Sequence, residues 1–436
     1  MTRLSRDWTL ALSLTLIAFV QRIWGLTTPK GLVFDEVYYA KNAYSLLQHG
    51  IEIDAKKSVA EFVVHPPVGK WFIALGIKVF GYNEFGWRTS AVLVGSISVT
   101  LMYFTAKKLF DSQFLSVFAA FLILVDGLHL VHSRIALLDI FLMFFVQVAV
   151  LAILYGKYWI AGLALGLACG VKWSGLYFLI ALAILVLFFD WIKHRYYGTE
   201  RPFRELIRED FVKRFAQFGL LPIATYLFSW IGWFANSGGY ARNYSSNIFK
   251  SLWHYHAQIL NFHAGLVEKH PYMANPWSWL IMGRPTSFYY KTPSGCGSEK
   301  CSQEVLALGT PLIYWSATIS LLVVFGIWLS KRDLTAAILL TVVGAGYLPW
   351  FFFQQRTMFT FYIISFEPFF MLILVYLISN YLEGARSPES LTFRKRTVMG
   401  LGIVYLINFL YFAPLYYAQL ITYNSWLDHM WFNSWI

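Results

Sequence analysis

The sequence predicts an all-α polytopic membrane protein, and three observations carry that prediction. Hydrophobic residues make up 58% of the chain against 13% charged, which is more apolar surface than a soluble fold of this length can bury. Apolar runs close to the roughly 20 residues needed to cross hydrocarbon recur along the chain and amount to about eleven spans. Short clusters of Lys and Arg fall between alternate runs, the pattern that orients helices in a bilayer. Those clusters account for the net charge of +12, so membrane lipids rather than nucleic acid are the expected surroundings.

The first span is expected over Trp8–Leu26, behind Arg3 and Arg6, which puts the N-terminus in the cytoplasm. It runs on through Trp24 without a small-residue cleavage site and reads as a retained signal anchor. Residues 27–82 then form a first external loop, with two amphipathic helices, Val37–Gln48 and Pro67–Phe80, lying along the outer face around a charged stretch, 52–61. The second span, Phe85–Phe104, leads inside to Lys107 and Lys108, and the third, Phe114–Leu128, returns outside to His129–Arg134. A fourth reaches Leu154, and a fifth ends outside at Gly170-Val-Lys-Trp-Ser-Gly175. After the sixth, residues 191–215 form a cytoplasmic loop dense in Lys and Arg, suited to lipid headgroups. The seventh leads to a large external loop, 235–307, whose polar and aromatic mixture reads as ordered. Spans eight to eleven alternate around Lys331-Arg-Asp333, Phe353-Gln-Gln-Arg356 and the basic loop 386–396, leaving the C-terminus outside. The whole chain, 1–436, reads as one integral membrane domain.

Cys296 and Cys301 share a polar segment of the large loop, whereas Cys169 lies in an apolar run, so the first two are expected to be bridged. Closing so short a loop contributes roughly 2 kcal/mol on a chain-entropy model and implies an oxidising compartment.

Asp35 and Glu36 follow the first span directly. A carboxylate at a membrane face is costly, which makes the pair a functional candidate, although an acid before an apolar helix also suits a cap. The company is informative. His65, Arg134, Asp139, Lys172, Arg284 and Arg356 are all expected at the outer face, where positive-inside bias does not explain the cations. Carboxylates, an imidazole and cations at the outer ends of apolar helices suit a substrate with a lipid tail and a phosphate. Arg offers a two-pronged phosphate contact and Lys a mobile charge. A carboxylate beside a lipid-linked sugar can take the proton of an incoming hydroxyl, and Asp35 fits that role. The phosphate leaves as an anion if cations compensate it, so no cofactor is required and the reaction is expected to be metal-independent. His65, before Pro66 and Pro67, reads equally as a donor to substrate or as a structural histidine. Asp139 is expected to pair with or position a cation. His254 and His256 stand two apart and would leave a helix on different faces, a poor metal site.

The strings Phe34-Asp-Glu-Val-Tyr-Tyr39, His65-Pro-Pro-Val-Gly-Lys70, Arg134-Ile-Ala-Leu-Leu-Asp139, Gly170-Val-Lys-Trp-Ser-Gly175 and Arg284-Pro-Thr-Ser-Phe-Tyr-Tyr290 occur in that order over nearly the whole chain. Together they resemble the protein O-mannosyltransferases, membrane glycosyltransferases of the C type (GT-C). The resemblance implies a polyprenyl-phosphate mannose donor, a Ser or Thr acceptor on an exported protein, with the secretion translocon as a candidate neighbour, and inversion at the anomeric carbon. By matching motif, Asp35 corresponds to the base, Glu36 to an acidic neighbour facing the acceptor, and Arg134 and Lys172 to phosphate or sugar contacts. Eukaryotic members carry a carbohydrate-binding-like domain in the large external loop, for which this chain has no room. That departure implies a bacterial plasma-membrane member using decaprenyl or undecaprenyl phosphate. The alternatives are a C-type transferase moving another sugar to a lipid or glycan, and a transporter. Charges gathered at one face disfavour a transporter, and the lack of a Trp-Trp-Asp-Tyr-Gly string disfavours an oligosaccharyltransferase.

Overall fold

The computed structural model describes residues 3–54, 56–198 and 200–436, and the chain is mostly helical. Among the described residues, five helices are long and apolar enough to cross a membrane: Glu84–Phe110, Gly175–Tyr196, Pro311–Lys331, Leu334–Phe353 and Pro388–Tyr416. Gln113–Leu124, Asp139–Leu154 and Tyr158–Val171 are apolar but shorter. This is a multi-pass membrane protein. On Gly175–Tyr196 the exposed Leu176, Ile180, Ile184 and Phe188 recur at every fourth position, one apolar stripe left for lipid.

The chain divides into two compact units, Met1–Phe34 with Ala91–Ile135 and Lys269–Ile436, and Asp35–Ser90 with Ala136–Glu268. In the first unit, the opening helix is Arg3–Ile23. It begins earlier than its apolar run predicts because Asp7 is buried and satisfied, accepting from the Tyr103 hydroxyl at 2.7 Å and Gln113 at 3.1 Å. The third predicted span also differs. Helix Gln113–Leu124 stops short of Leu128, and Asp126 caps a separate short helix, Gly127–His132, by accepting from the His129 amide at 2.8 Å. Its other oxygen accepts from the Thr310 amide at 3.0 Å, so the break in the apolar run is fixed by one carboxylate.

Part of the large loop is sheet, an element that the all-helical reading does not contain. Strands Thr286–Lys291 and Cys301–Ala307 pair antiparallel, Thr286 opposite Ala307, and Ile421–Thr422 adds to the second strand. Cys296 and Cys301 are joined by a disulfide across the connection between the two longer strands.

In the second unit, the helices Glu36–His49 and Val68–Phe80 are linked through a hairpin of two short strands, Ile53–Asp54 with Val59–Ala60. The run from Pro202 to Ala235 is helical but interrupted by π segments at Leu206–Phe211 and Ala216–Leu220, and it breaks again at Trp230. A Cβ on Gly162 would lie 1.8 Å from the Gln217 carbonyl oxygen, so this irregular helix packs directly on Tyr158–Val171.

Val68–Phe80 and the start of Glu84–Phe110 also meet through glycine: a Cβ on Gly76 would lie 2.3 Å from the Gly86 carbonyl oxygen. Gly76→Ala should therefore destabilise the protein by about 1–3 kcal/mol, since backbone cannot yield as a side chain does. Thermal unfolding in detergent checks it, with Gly400→Ala, where a Cβ meets nothing within 4 Å, expected to hold or gain stability.

Candidate functional site

Phe34 has a left-handed backbone, φ 48°, an uncommon conformation for an aromatic residue, and the helix Glu36–His49 starts directly after it. Asp35 occupies the cap position of that helix. Among the described residues, its side chain makes no capping hydrogen bond. Oδ2 instead accepts from the hydroxyl of Tyr39, one turn on, at 3.3 Å. Burial pushes this carboxyl up to about 6; the positive charge of Lys172 pulls it down, and the negative charge of Asp139 pushes it up. A carboxylate released from cap duty, partly desolvated and near a cation is equipped to take a proton near neutral pH.

Glu36 differs from its neighbour in every respect. It is 0% exposed, and Oε1 and Oε2 accept from Arg88 Nε and Nη2 at 2.8 and 2.9 Å. Oε1 also accepts from the Ala136 amide at 2.9 Å. Its carboxylate is held in a two-pronged buried ion pair.

Lys172 and Asp139 come together because helices Asp139–Leu154 and Tyr158–Val171 are joined by a short turn. That arrangement returns the C-terminus of the second helix to the N-terminus of the first. Asp139 opens one helix and Lys172 closes the other, each suited to its helix end. Lys172 Nζ lies 2.7 Å from Asp139 Oδ2, so Asp139 holds a cation, as its position suggests. His65 precedes the two prolines that lead into Val68–Phe80, with its ring 6.0 Å from Tyr39 and 5.3 Å from His263. Lys70, from the same motif, is buried in an ion pair with Glu52.

The second unit thus gathers Asp35, Glu36, His65, Asp139 and Lys172. Arg134, Arg284 and Arg356 belong to the first unit. Arg134 is buried, its Nη1 and Nη2 donating to the carbonyls of Arg22, Trp24 and Gly25 at 2.7, 2.5 and 3.0 Å, with its guanidinium 4.7 Å from the Tyr417 ring. These carbonyls lie at and just beyond the C-terminal end of the opening helix, where a cation is favoured. Arg284 donates to the carbonyls of Pro271, Ser434 and Ile436. Arg356 lies over the Trp350 ring at 5.8 Å. Arg134 and Arg284 both donate to backbone carbonyls, a partner that residue type and topology do not reveal.

Sequence reasoning missed Arg88, Tyr39 and His263. Tyr39 had a signal, four residues after Asp35 on one helix face; Arg88 had only its place at the start of an apolar run. His254 and His256 do diverge. His254 stacks on Tyr244 at 3.7 Å, whereas His256 Nδ1 donates to the Leu252 carbonyl and leaves Nε2 to accept from the Tyr226 hydroxyl at 2.7 Å. Among the described residues no three His, Cys, Asp or Glu side chains are grouped to hold a metal.

A family profile described as "Dolichyl-phosphate-mannose-protein mannosyltransferase" matches residues 12–236. A second, "C-terminal four TMM region of protein-O-mannosyltransferase", matches residues 248–435. The sequence is similar to the polyprenol-phosphate-mannose–protein mannosyltransferase of Mycobacterium tuberculosis, at 31% identity over 99% of this chain and 92% of that one. Its counterpart from Corynebacterium glutamicum is 29% identical over 97% and 92%. In fold, the chain is similar to the Saccharomyces cerevisiae protein O-mannosyltransferase Pmt1-Pmt2 complex bound to the sugar donor, with a TM-score of 0.81 at 14% identity over 99% of this chain and 93% of that one. ArnT from Cupriavidus metallidurans bound to undecaprenyl phosphate gives 0.55 at 17% identity over 92% and 64%.

The ion pair yields a directional test. Glu36→Gln leaves Arg88 as an uncompensated buried charge and should cost about 3–5 kcal/mol, whereas Glu36→Leu combined with Arg88→Met should recover much of that loss. Thermal unfolding in detergent reads both; a double variant no more stable than the single one would contradict the charge-pair account.

Proposed function

Because the chain belongs to the protein O-mannosyltransferase family and is a glycosyltransferase, we propose that it moves mannose from polyprenyl-phosphate mannose to Ser and Thr hydroxyls of exported proteins at the outer face of the membrane, inverting the anomeric carbon. The observation that carries the mechanism is Asp35, a carboxylate at a cap position whose side chain does not cap. In the proposed step the acceptor hydroxyl oxygen forms a bond to the anomeric carbon as the bond from that carbon to the phosphate oxygen breaks. The hydroxyl proton passes to Asp35, and the electron pair leaves with polyprenyl phosphate. Lys172, held by Asp139 at 2.7 Å, supplies positive charge for that phosphate. Tyr39 orients the base, and His65 contributes a polar contact beside it. Arg134, Arg284 and Arg356 are the further cationic candidates for the donor phosphate.

Topology is part of the same proposal. Eleven crossings place the N-terminus, residues 191–215 and residues 386–396 inside, and residues 27–82, 235–307 and the C-terminus outside, with acceptors arriving from the translocon. Alternating basic clusters support this orientation. So does the Cys296–Cys301 bridge, which suits an oxidising compartment.

The test is transfer from polyprenyl-phosphate mannose to a Ser/Thr peptide by purified Asp35→Asn protein. The amide keeps the shape but cannot accept the proton, so kcat should fall on the order of 100-fold or more, with donor-analogue binding near that of the wild type. The thermal midpoint at neutral pH should hold or rise, because folding disfavours the ionised acid there. Turnover near that of the wild type would remove Asp35 from the base role.

A further inference from the structure

The helix Ile248–Gly265, in the large loop at the start of the second matched family region, has two dissimilar faces. One is packed: Ser251, Leu252, Tyr255 and Ile259 are buried, against Val63, Trp230 and Trp233. From this face the Tyr255 hydroxyl accepts from the Val63 amide at 3.1 Å, and His263 Nε2 donates to the Val64 carbonyl at 3.0 Å. Phe62 packs between Tyr240, Tyr255 and Phe262. The chain that delivers His65 is therefore carried on this helix.

The opposite face is bare and apolar. Phe249 is 64% exposed, Trp253 77% and Leu260 58%, and spacings of four and seven place them in one stripe. The stripe starts where another ends. Leu220, Ile223, Phe228 and Ile231 are exposed along the apolar segment that precedes it, and Phe234, at the end of that segment, lies 6.3 Å from Phe249, ring to ring. A convex row with Trp at its middle and Lys250 exposed beside its first residue suits a fluid interface, where the indole sits at headgroup level and the lysine stem reaches water.

We infer that Ile248–Gly265 rests on the outer leaflet with Phe249, Trp253 and Leu260 in the lipid, fixing the segment that carries His65 at the height of the membrane surface. The inference rests on reading residues 235–307 as external and 202–235 as a crossing. The test uses the full chain in sealed vesicles of phosphatidylglycerol and phosphatidylethanolamine, with Cys169→Ala removing the free thiol. A fluorophore is attached through Trp253→Cys or, as an exposed control, Lys269→Cys. A headgroup-level nitroxide lipid should quench the label at 253 severalfold more than the label at 269, and aqueous iodide should do the reverse. Equal iodide quenching at both sites would put the stripe in water and overturn the inference. Protection of 253 from both quenchers would show a protein partner or a second copy over it, which overturns it equally. Reaction of the 269 thiol with an impermeant reagent outside intact cells reports the side of the loop separately, so a wrong topology and a wrong occupant give different results.

Discussion

The buried pair of Glu36 and Arg88 is the constraint on which the proposed site depends. One carboxylate joins the first turn of Glu36–His49 to the start of Glu84–Phe110 and, through the Ala136 amide, to the chain entering Asp139–Leu154. A pair desolvated on both sides adds little net stability compared with apolar residues of the same size, but it penalises any geometry that separates its members. What it fixes is the backbone of the preceding residue. Asp35 sits at the helix start, its main-chain oxygen accepting from the Tyr38 and Tyr39 amides at 3.0 Å, while its side chain makes no capping bond.

That arrangement has a thermodynamic sign. Burial raises the Asp35 carboxyl to about 6 from an ordinary 3.8, so folding favours the protonated acid. The group's contribution to stability is present below about 3.8 and is lost as pH rises through about 6. At neutral pH the ionised Asp35 carboxylate is thus maintained against folding, with Lys172 offsetting part of the cost and Asp139 adding to it. Two carboxylates and one lysine set the balance: Asp139 fixes the lysine by a direct bond, and Asp35 senses both through space. Adjacent acids in the sequence thus have different surroundings, one in a buried ion pair and the other beside the Tyr39 hydroxyl.

Much of this was legible in the sequence, for physical reasons. Hydrocarbon demands long apolar runs, so helices such as Gly175–Tyr196 and Pro311–Lys331 declare themselves. The acid pair was conspicuous because charge is scarce near lipid. What the sequence did not disclose was the choice of partner. Arg134 and Lys172 both read as outer-face cations, yet one is spent on three carbonyls while the other meets Asp139. Asp126 ended an apolar run by capping the next turn, which an averaged hydropathy passes over. The strands Thr286–Lys291 and Cys301–Ala307 lay in a loop whose Tyr, Phe and Thr content favours sheet, a signal outweighed by the helical pattern around it.

A base at Asp35 with a carboxyl tuned by its surroundings leaves a kinetic signature in the pH dependence of transfer. The most direct measurement is kcat/KM for mannosyl transfer by the purified protein in vesicles between pH 4.5 and 8, which reports the ionisation of the free enzyme. The account predicts a plateau above the inflection near pH 6, a loss below it of about tenfold per pH unit, and a shift of the inflection to higher pH in Lys172→Gln, which removes the compensating positive charge. A flat profile across that range, or an inflection that persists in the residual activity of Asp35→Asn, would contradict it.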